Sequence, residues 1–253
     1  MKAHRLNKFI VLLVLSLGIL VSCDDDNDDV TNTVSNEELE ILITSALVDE
    51  GGLLDDIDLI SSSLAGNAQR SSEFTEFSSM DLSAVNCNQT VSNTYQNSNS
   101  VGNRSWTIIS NWTWTLNCDI ASQSASFDLS GNGSLDFDGP NLSKDITRTH
   151  DFNITGLGPA SNTWNYNATH NRTGFTQFNG PNQNSFDTNL DFGSTDLLIS
   201  KATEEIISGT FTIDFTATFS NGNTFNRGAT IVFTGNQTAT VTFNNGFTFN
   251  ISW

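Results

Sequence analysis

Positive charge is scarce in this chain, where ten Lys and Arg stand against 28 Asp and Glu and leave a formal charge of −18. Three of those bases, Lys2, Arg5 and Lys8, precede residue 22, so the remainder carries seven bases against 28 acids, or −21. The seven are spread from Arg70 to Arg227. Binding to a polyphosphate rests on clustered Lys and Arg and the counterions they release, so nucleic acid is excluded as an expected partner. Proline is equally sparse, at positions 140, 159 and 181, and little therefore interrupts extended strands. Cysteine and histidine are too few and too far apart for a zinc ribbon. Cys87 and Cys118 lie 31 residues apart, and with His150 and His170 they lack zinc-ligand spacing, so no metal or cofactor is expected. Long apolar runs are missing as well. The segment from Phe9 to Val21 has 13 residues, short of the roughly 20 that span a bilayer.

That short segment has a different meaning. A basic start, an apolar stretch and Val21-Ser22-Cys23 form a lipoprotein export signal, in which residues 1–22 are removed and Cys23 is acylated as the new N-terminus. Each buried methylene of the acyl chains is worth about 0.8 kcal/mol, so several palmitate-length chains hold a protein firmly on a membrane. Residues 23–34 combine high charge with little to bury and read as an acidic, disordered tether. Of the 28 acids, 13 fall between Asp24 and Asp58. With Cys23 assigned to lipid, Cys87 and Cys118 remain as a pair in a compartment that permits oxidation, and a disulfide is expected over two buried thiols.

Residues 35–253 are expected to form one domain. Ser35 with Glu38 makes a capping box, and Leu39, Leu42, Ile43, Ala46 and Leu47 follow at helical spacing. Gly51-Gly52 breaks this helix, and Leu53, Ile57, Ile60 and Leu64 begin a second that ends near Gly66, each helix acidic outside and aliphatic inside. From Phe74 the period becomes two. Trp106, Ile108, Trp112, Trp114, Leu116 and Cys118 occupy even positions against a polar odd face, and Phe127–Phe137 and Phe211–Phe219 repeat the alternation. Gly131 and Gly133 on the apolar face read as bends. Asn221-Gly222 and Asn244-Asn245-Gly246 mark hairpins. Further strands are expected at residues 88–99, 144–155, 162–178, 184–192 and 196–201. The pattern predicts a mainly β fold over 74–253, a long-stranded antiparallel meander curled into a half-barrel on two short N-terminal helices over about 35–66, with a β-sandwich as the alternative.

Chemistry-bearing constellations are thin. His150 in Thr-His-Asp and His170 in Thr-His-Asn sit in polar, strand-like sequence without a nucleophile elbow, which predicts solvent-facing histidines and no catalytic residues. Asp136 and Asp138 share one strand face beside Gly139, a pairing that turn chemistry explains better than calcium or glycosidase chemistry. The tryptophans of the 106–114 run share parity with Ile108 and Leu116 and read as core, not as a sugar platform. Ten Asn-x-Ser/Thr sequons reflect an Asn- and Thr-rich wet face.

Ser22-Cys23-Asp24-Asp25-Asp26 resembles the acidic export signal of surface lipoproteins of flavobacteria and other Bacteroidota. The ending Gly235-Asn236-Gln237-Thr238-Ala239-Thr240-Val241-Thr242-Phe243-Asn244-Asn245-Gly246-Phe247-Thr248-Phe249-Asn250-Ile251 is similar to the terminal hairpin of uncharacterised members of that group. It departs from them where a cysteine would precede the last hairpin, at Asn236 or Gln237. The resemblance implies an acidic helical start, a Thr-rich β domain and lipid anchoring at the outer membrane with surface exposure; anchoring that faces the periplasm is the alternative. It implies no activity. The expectation is a non-enzymatic binding or structural module whose partners are the membrane, through the lipid, and a glycan or surface protein. The alternative is a carrier holding a lipid or other apolar ligand inside the curled sheet.

Overall fold

The computed structural model describes residues 33–49, 51–65, 86–119, 124–179 and 184–253. The expected signal peptide, Cys23, the tether up to residue 32 and residues 66–85 lie outside them. Val34, the last residue of the expected tether, is buried.

Helix α1 spans Asn36–Val48 and α2 spans Leu53–Leu64. Ser35 Oγ accepts from the Glu38 N–H at 3.2 Å, and Glu38 Oε2 accepts from the Ser35 N–H at 2.8 Å. This capping box satisfies two backbone donors that no helical carbonyl can reach and contributes about 1 kcal/mol. The inner stripe of Leu39, Ile43 and Leu47 continues in Leu53, Ile57 and Ile60, all buried.

Ten antiparallel strands follow: β1 Thr90–Val101, β2 Arg104–Cys118, β3 Ser124–Asp138, β4 Leu142–Thr155, β5 Thr163–Phe178, β6 Ser185–Ser200, β7 Ile206–Phe219, β8 Thr224–Gly235, β9 Thr238–Phe243 and β10 Thr248–Ser252. They form one sheet in sequence order, with β1 and β10 as open edges. The sheet is therefore a meander that does not close into a barrel, and it is a single layer, not a sandwich. The segments expected as separate strands at 184–192 and 196–201 are one strand, β6, because the chain runs through the break with a register shift against β7 between Gly193 and Leu198.

One face of the sheet is buried from β2 to β10, carrying Trp106, Phe137, Ile154, Tyr166, Phe192, Phe211, Ile231, Val241 and Ile251 among others. Helices of 13 and 12 residues are about 20 Å long, whereas ten strands at roughly 4.8 Å spacing extend over 40 Å. So small a helix pair leaves the whole apolar face dry only if the sheet curls around it. Leu39, Ile43, Leu53 and Ile60, each at most 1% exposed, are the side chains placed on that face.

Cys87 and Cys118 are joined, with Cα atoms 5.4 Å apart, and fasten the start of β1 to the end of β2. Closing a loop of sequence separation 31 restricts the unfolded chain and is expected to contribute about 3 to 4 kcal/mol. Urea unfolding with and without reductant should show a loss of that size. Two alkylatable thiols in untreated protein would refute the bridge.

Candidate functional site

Two places gather polar chemistry, one on each face of the sheet. The first is buried. Gly131 lies in a cross-strand row that reads Trp112, Gly131, His150, His170, Phe192 over β2 to β6. With no side chain at Gly131, the Trp112 and His150 rings close over the glycine and stack at 3.9 Å between centroids, and His170 follows at 5.8 Å. The neighbouring row reads Ser110, Gly133, Arg148, Arg172. Gly133 is likewise empty, and the Arg148 guanidinium passes over it to donate from Nη2 to Ser110 Oγ. The pairing of β3 with both neighbours runs unshifted through these glycines, so their role is to make room within the ladder rather than to break it.

Helix residues complete the cluster. Arg148 Nη1 donates to the Gly51 carbonyl at 2.9 Å and lies 3.3 Å from Asp56 Oδ2, while Arg172 Nη1 donates to the Ala46 carbonyl at 2.7 Å. Lys144 Nζ donates to Ser45 Oγ at 2.6 Å, and Ser45 Oγ donates to the Asp49 carboxylate. The last turn of α1 has no basic residue of its own. The sheet supplies that charge, placing cations where the unpaired carbonyls and negative dipole end of α1 favour them.

Asp56, His150 and His170 bring one ligand atom each to within 4.8 Å of one another. Asp56 Oδ2 is 3.6 Å from His150 Nδ1. Burial pushes the Asp56 carboxyl above its usual range against the pull of Arg148 and Arg172. Burial, reinforced by Arg148, holds His150 down to about 3, and it lowers His170 well below the ordinary imidazole value with the help of Arg172. Both rings are therefore neutral at pH 7. Among the described residues none of their four ring nitrogens has a hydrogen-bond partner, and neither do Arg148 Nε and Arg172 Nη2.

The lowered histidines tie stability to pH. A base whose folded value lies below its unfolded one contributes its full stability above about pH 6.5 and loses it as the pH falls, because only the unfolded chain takes up the proton. At pH 5 His150 should cost about 2 kcal/mol, His170 acts in the same direction, and Asp56, shifted the other way, partly returns the loss. Urea titrations at pH 7 and pH 5 with chelator present check this. The difference between the two should shrink by about 2 kcal/mol in His150→Gln, and an unchanged difference would contradict it.

The second place is a groove of about 520 Å³ on the solvent-facing side of β2 to β6. Two polar cross-strand rows line it, Thr115-Asp128-Asn153-Asn167 and Thr113-Ser130-Asp151-Thr169. Asp128 is fixed from both sides, accepting from Asn117 Nδ2 at 2.6 Å and from Asn153 Nδ2 at 2.5 Å. Asp151 opposes Ser130 and Thr169. No basic side chain lines the groove.

Several expectations change. His150 and His170 are not solvent-facing: each is 1% exposed, because both share even-position parity with Ile146, Phe152, Ile154 and Tyr166. Three of the seven bases that are spread along the sequence come together in space, since Lys144, Arg148 and Arg172 converge on the helix pair. Asp56 does not lie on the acidic outer face of α2 but is 4% exposed in the core. The sequence carried this signal, for residues 53, 56, 57 and 60 are one helical stripe, and Arg148-x-His150 faces His170-x-Arg172 across a strand pair. Asp136 and Asp138 are exposed, and Asp138 accepts from Ser143 Oγ at 2.6 Å. Trp106, Trp112 and Trp114 are core, as their parity implies. Among the described residues no helix is long and apolar enough to cross a membrane. Comparison with protein-family models, with curated proteins and with solved structures gave no match for this chain.

Proposed function

We propose that the chain is a lipid-anchored, non-enzymatic binding module, acylated at Cys23, held at the outer membrane surface and engaging its partner through the polar groove of β2 to β6. The observation that carries this reading is the division of the two faces. The inner one is packed with helix side chains such as Leu39, Ile43 and Leu53, each at most 1% exposed, whereas the outer one offers an open groove of about 520 Å³ in which Thr, Ser, Asn and Asp side chains border a mostly apolar surface. A cleft of several hundred Å³ is of ligand size. Its carboxylate, amide and hydroxyl groups, set beside apolar surface and without a base, suit uncharged ligands that carry both hydroxyl and C–H faces, and repel polyanions. The helix side chains on the inner face favour this reading over a carrier with apolar cargo. The histidines, at 1% exposure, support the non-enzymatic part, because no substrate in solvent reaches them.

Two experiments test it. In Cys23→Ala, labelling with a fatty-acid analogue and recovery in the membrane fraction should both be lost; full membrane association in the variant overturns the anchor. Proteolysis of intact cells decides between the surface and the periplasm-facing arrangement. For the groove, Asp151→Ala should reduce retention of wild-type ligands on a neutral-glycan array by at least about tenfold, the roughly 1.5 kcal/mol or more of a hydrogen bond to a charged group. Equal retention would remove the groove from the reading.

A further inference from the structure

We propose that Asp56, His150 and His170 form a buried site for a divalent transition-metal ion of the zinc class. The sheet builds the pair of imidazoles by direct cross-strand register, and α2 delivers the carboxylate. Asp56 Oδ2 and His150 Nδ1 are 3.6 Å apart. That is close to the edge, about 3.4 Å, of a tetrahedron with bonds of 2.0 to 2.1 Å. His170 lies inside the same 4.8 Å group of donor atoms, so ring rotations of about an ångström complete a three-ligand set.

The independent observation is the state of the rings. Both histidines are 1% exposed, and among the described residues none of their four nitrogens has a hydrogen-bond partner. A buried polar atom left so costs about 1 to 3 kcal/mol, and folded chains seldom leave four together without purpose. Neutral imidazole presents the lone pair that a metal needs. Two nitrogens and one oxygen suit zinc, cobalt or nickel, and not calcium or magnesium, which take oxygen shells.

Arg148 stands beside Asp56 at 3.3 Å, in the place where an outer-shell donor orients a ligating carboxylate. Its charge and that of Arg172 also oppose a cation, because with Asp56 the cluster is already +1. The fourth ligand is accordingly an anion, hydroxide or chloride, drawn by the unpartnered N–H groups Arg148 Nε and Arg172 Nη2. The cluster lies beneath the helix pair, so the ion enters as the chain folds.

The test uses the full-length chain purified in detergent, unfolded and refolded with cobalt or with chelator. Refolding with cobalt should give one ion per chain, visible d–d absorption of four-coordinate intensity that zinc displaces, and a higher Tm. X-ray absorption on the wild-type complex should show two imidazoles at the ion, a readout independent of any variant. His170→Phe should weaken cobalt binding by more than roughly a hundredfold, beyond the 10- to 100-fold of an outer-shell partner. No retained cobalt, an ion without imidazole ligands, or a folded His170→Phe with an unchanged spectrum each overturns the assignment.

Discussion

Gly133→Ala is expected to destabilise the domain by about 4 kcal/mol or more, among the largest effects a single methyl group can have. A Cβ at this position would stand 2.0 Å from the Ile109 carbonyl oxygen and 3.1 Å from Ser110 Cα. Both are backbone atoms of β2, paired with β3, so no side-chain rotation relieves the contact. Gly131→Ala meets His150 Nε2 at 2.0 Å instead. That ring could turn only by leaving its stack on Trp112, which makes this substitution costly too. Gly158→Ala is the control, for nothing lies within 4 Å of its would-be Cβ. Urea unfolding of the three variants checks the order, with Gly158→Ala within about 0.5 kcal/mol of wild type. A Gly133→Ala domain of near wild-type stability would show that β2 and β3 separate more easily than their ladder implies.

The second large effect concerns Arg148. Arg148→Ala removes the donor to the Gly51 carbonyl and Ser110 Oγ and leaves the buried Asp56 with Arg172 as its remaining cationic neighbour in the cluster. Breaking a buried pair from one side costs about 3 to 5 kcal/mol, because the survivor keeps its desolvation without its partner. Asp56→Leu alone should cost a similar amount. The two together, as Arg148→Met with Asp56→Leu, should recover much of the loss, since well-packed apolar pairs replace buried ion pairs at little cost. A thermodynamic cycle over these chains measures the coupling. Strict additivity would mean that the 3.3 Å approach carries no energy.

Much of this architecture was legible one residue at a time. The capping box at Ser35 and Glu38, the Gly51-Gly52 break and the even-position tryptophans lie where the sequence puts them, because each depends on neighbours within a few residues. The disulfide followed from counting, and the structure supplies its distance. The buried cluster was harder to see. Polar residues in strands are ordinarily solvent-facing, and that prior outweighed the parity of Arg148 and His150 with Ile146 and Phe152. Only the long-range pairing of β4 with β5, and the docking of α2 on both, reveals that Asp56 and two glycines make such residues tolerable inside. The groove was illegible for another reason, since its rows join four strands whose register no short motif encodes.

A sheet in which every strand pairs with its sequence neighbour can zip up hairpin by hairpin, each step closing only a short loop. The helix pair is different. Its polar attachments reach across 92 to 146 residues, from Asp56 to Arg148 and from Glu38 to Asn184. Although α1 and α2 precede the sheet in the chain, they have no surface to settle on until β2 to β6 exist. The elements made first are thus the last to lock. Until they do, an unfinished half-barrel shows its aromatic lining to solvent, and a helper that shields apolar surface would find its client in that interval.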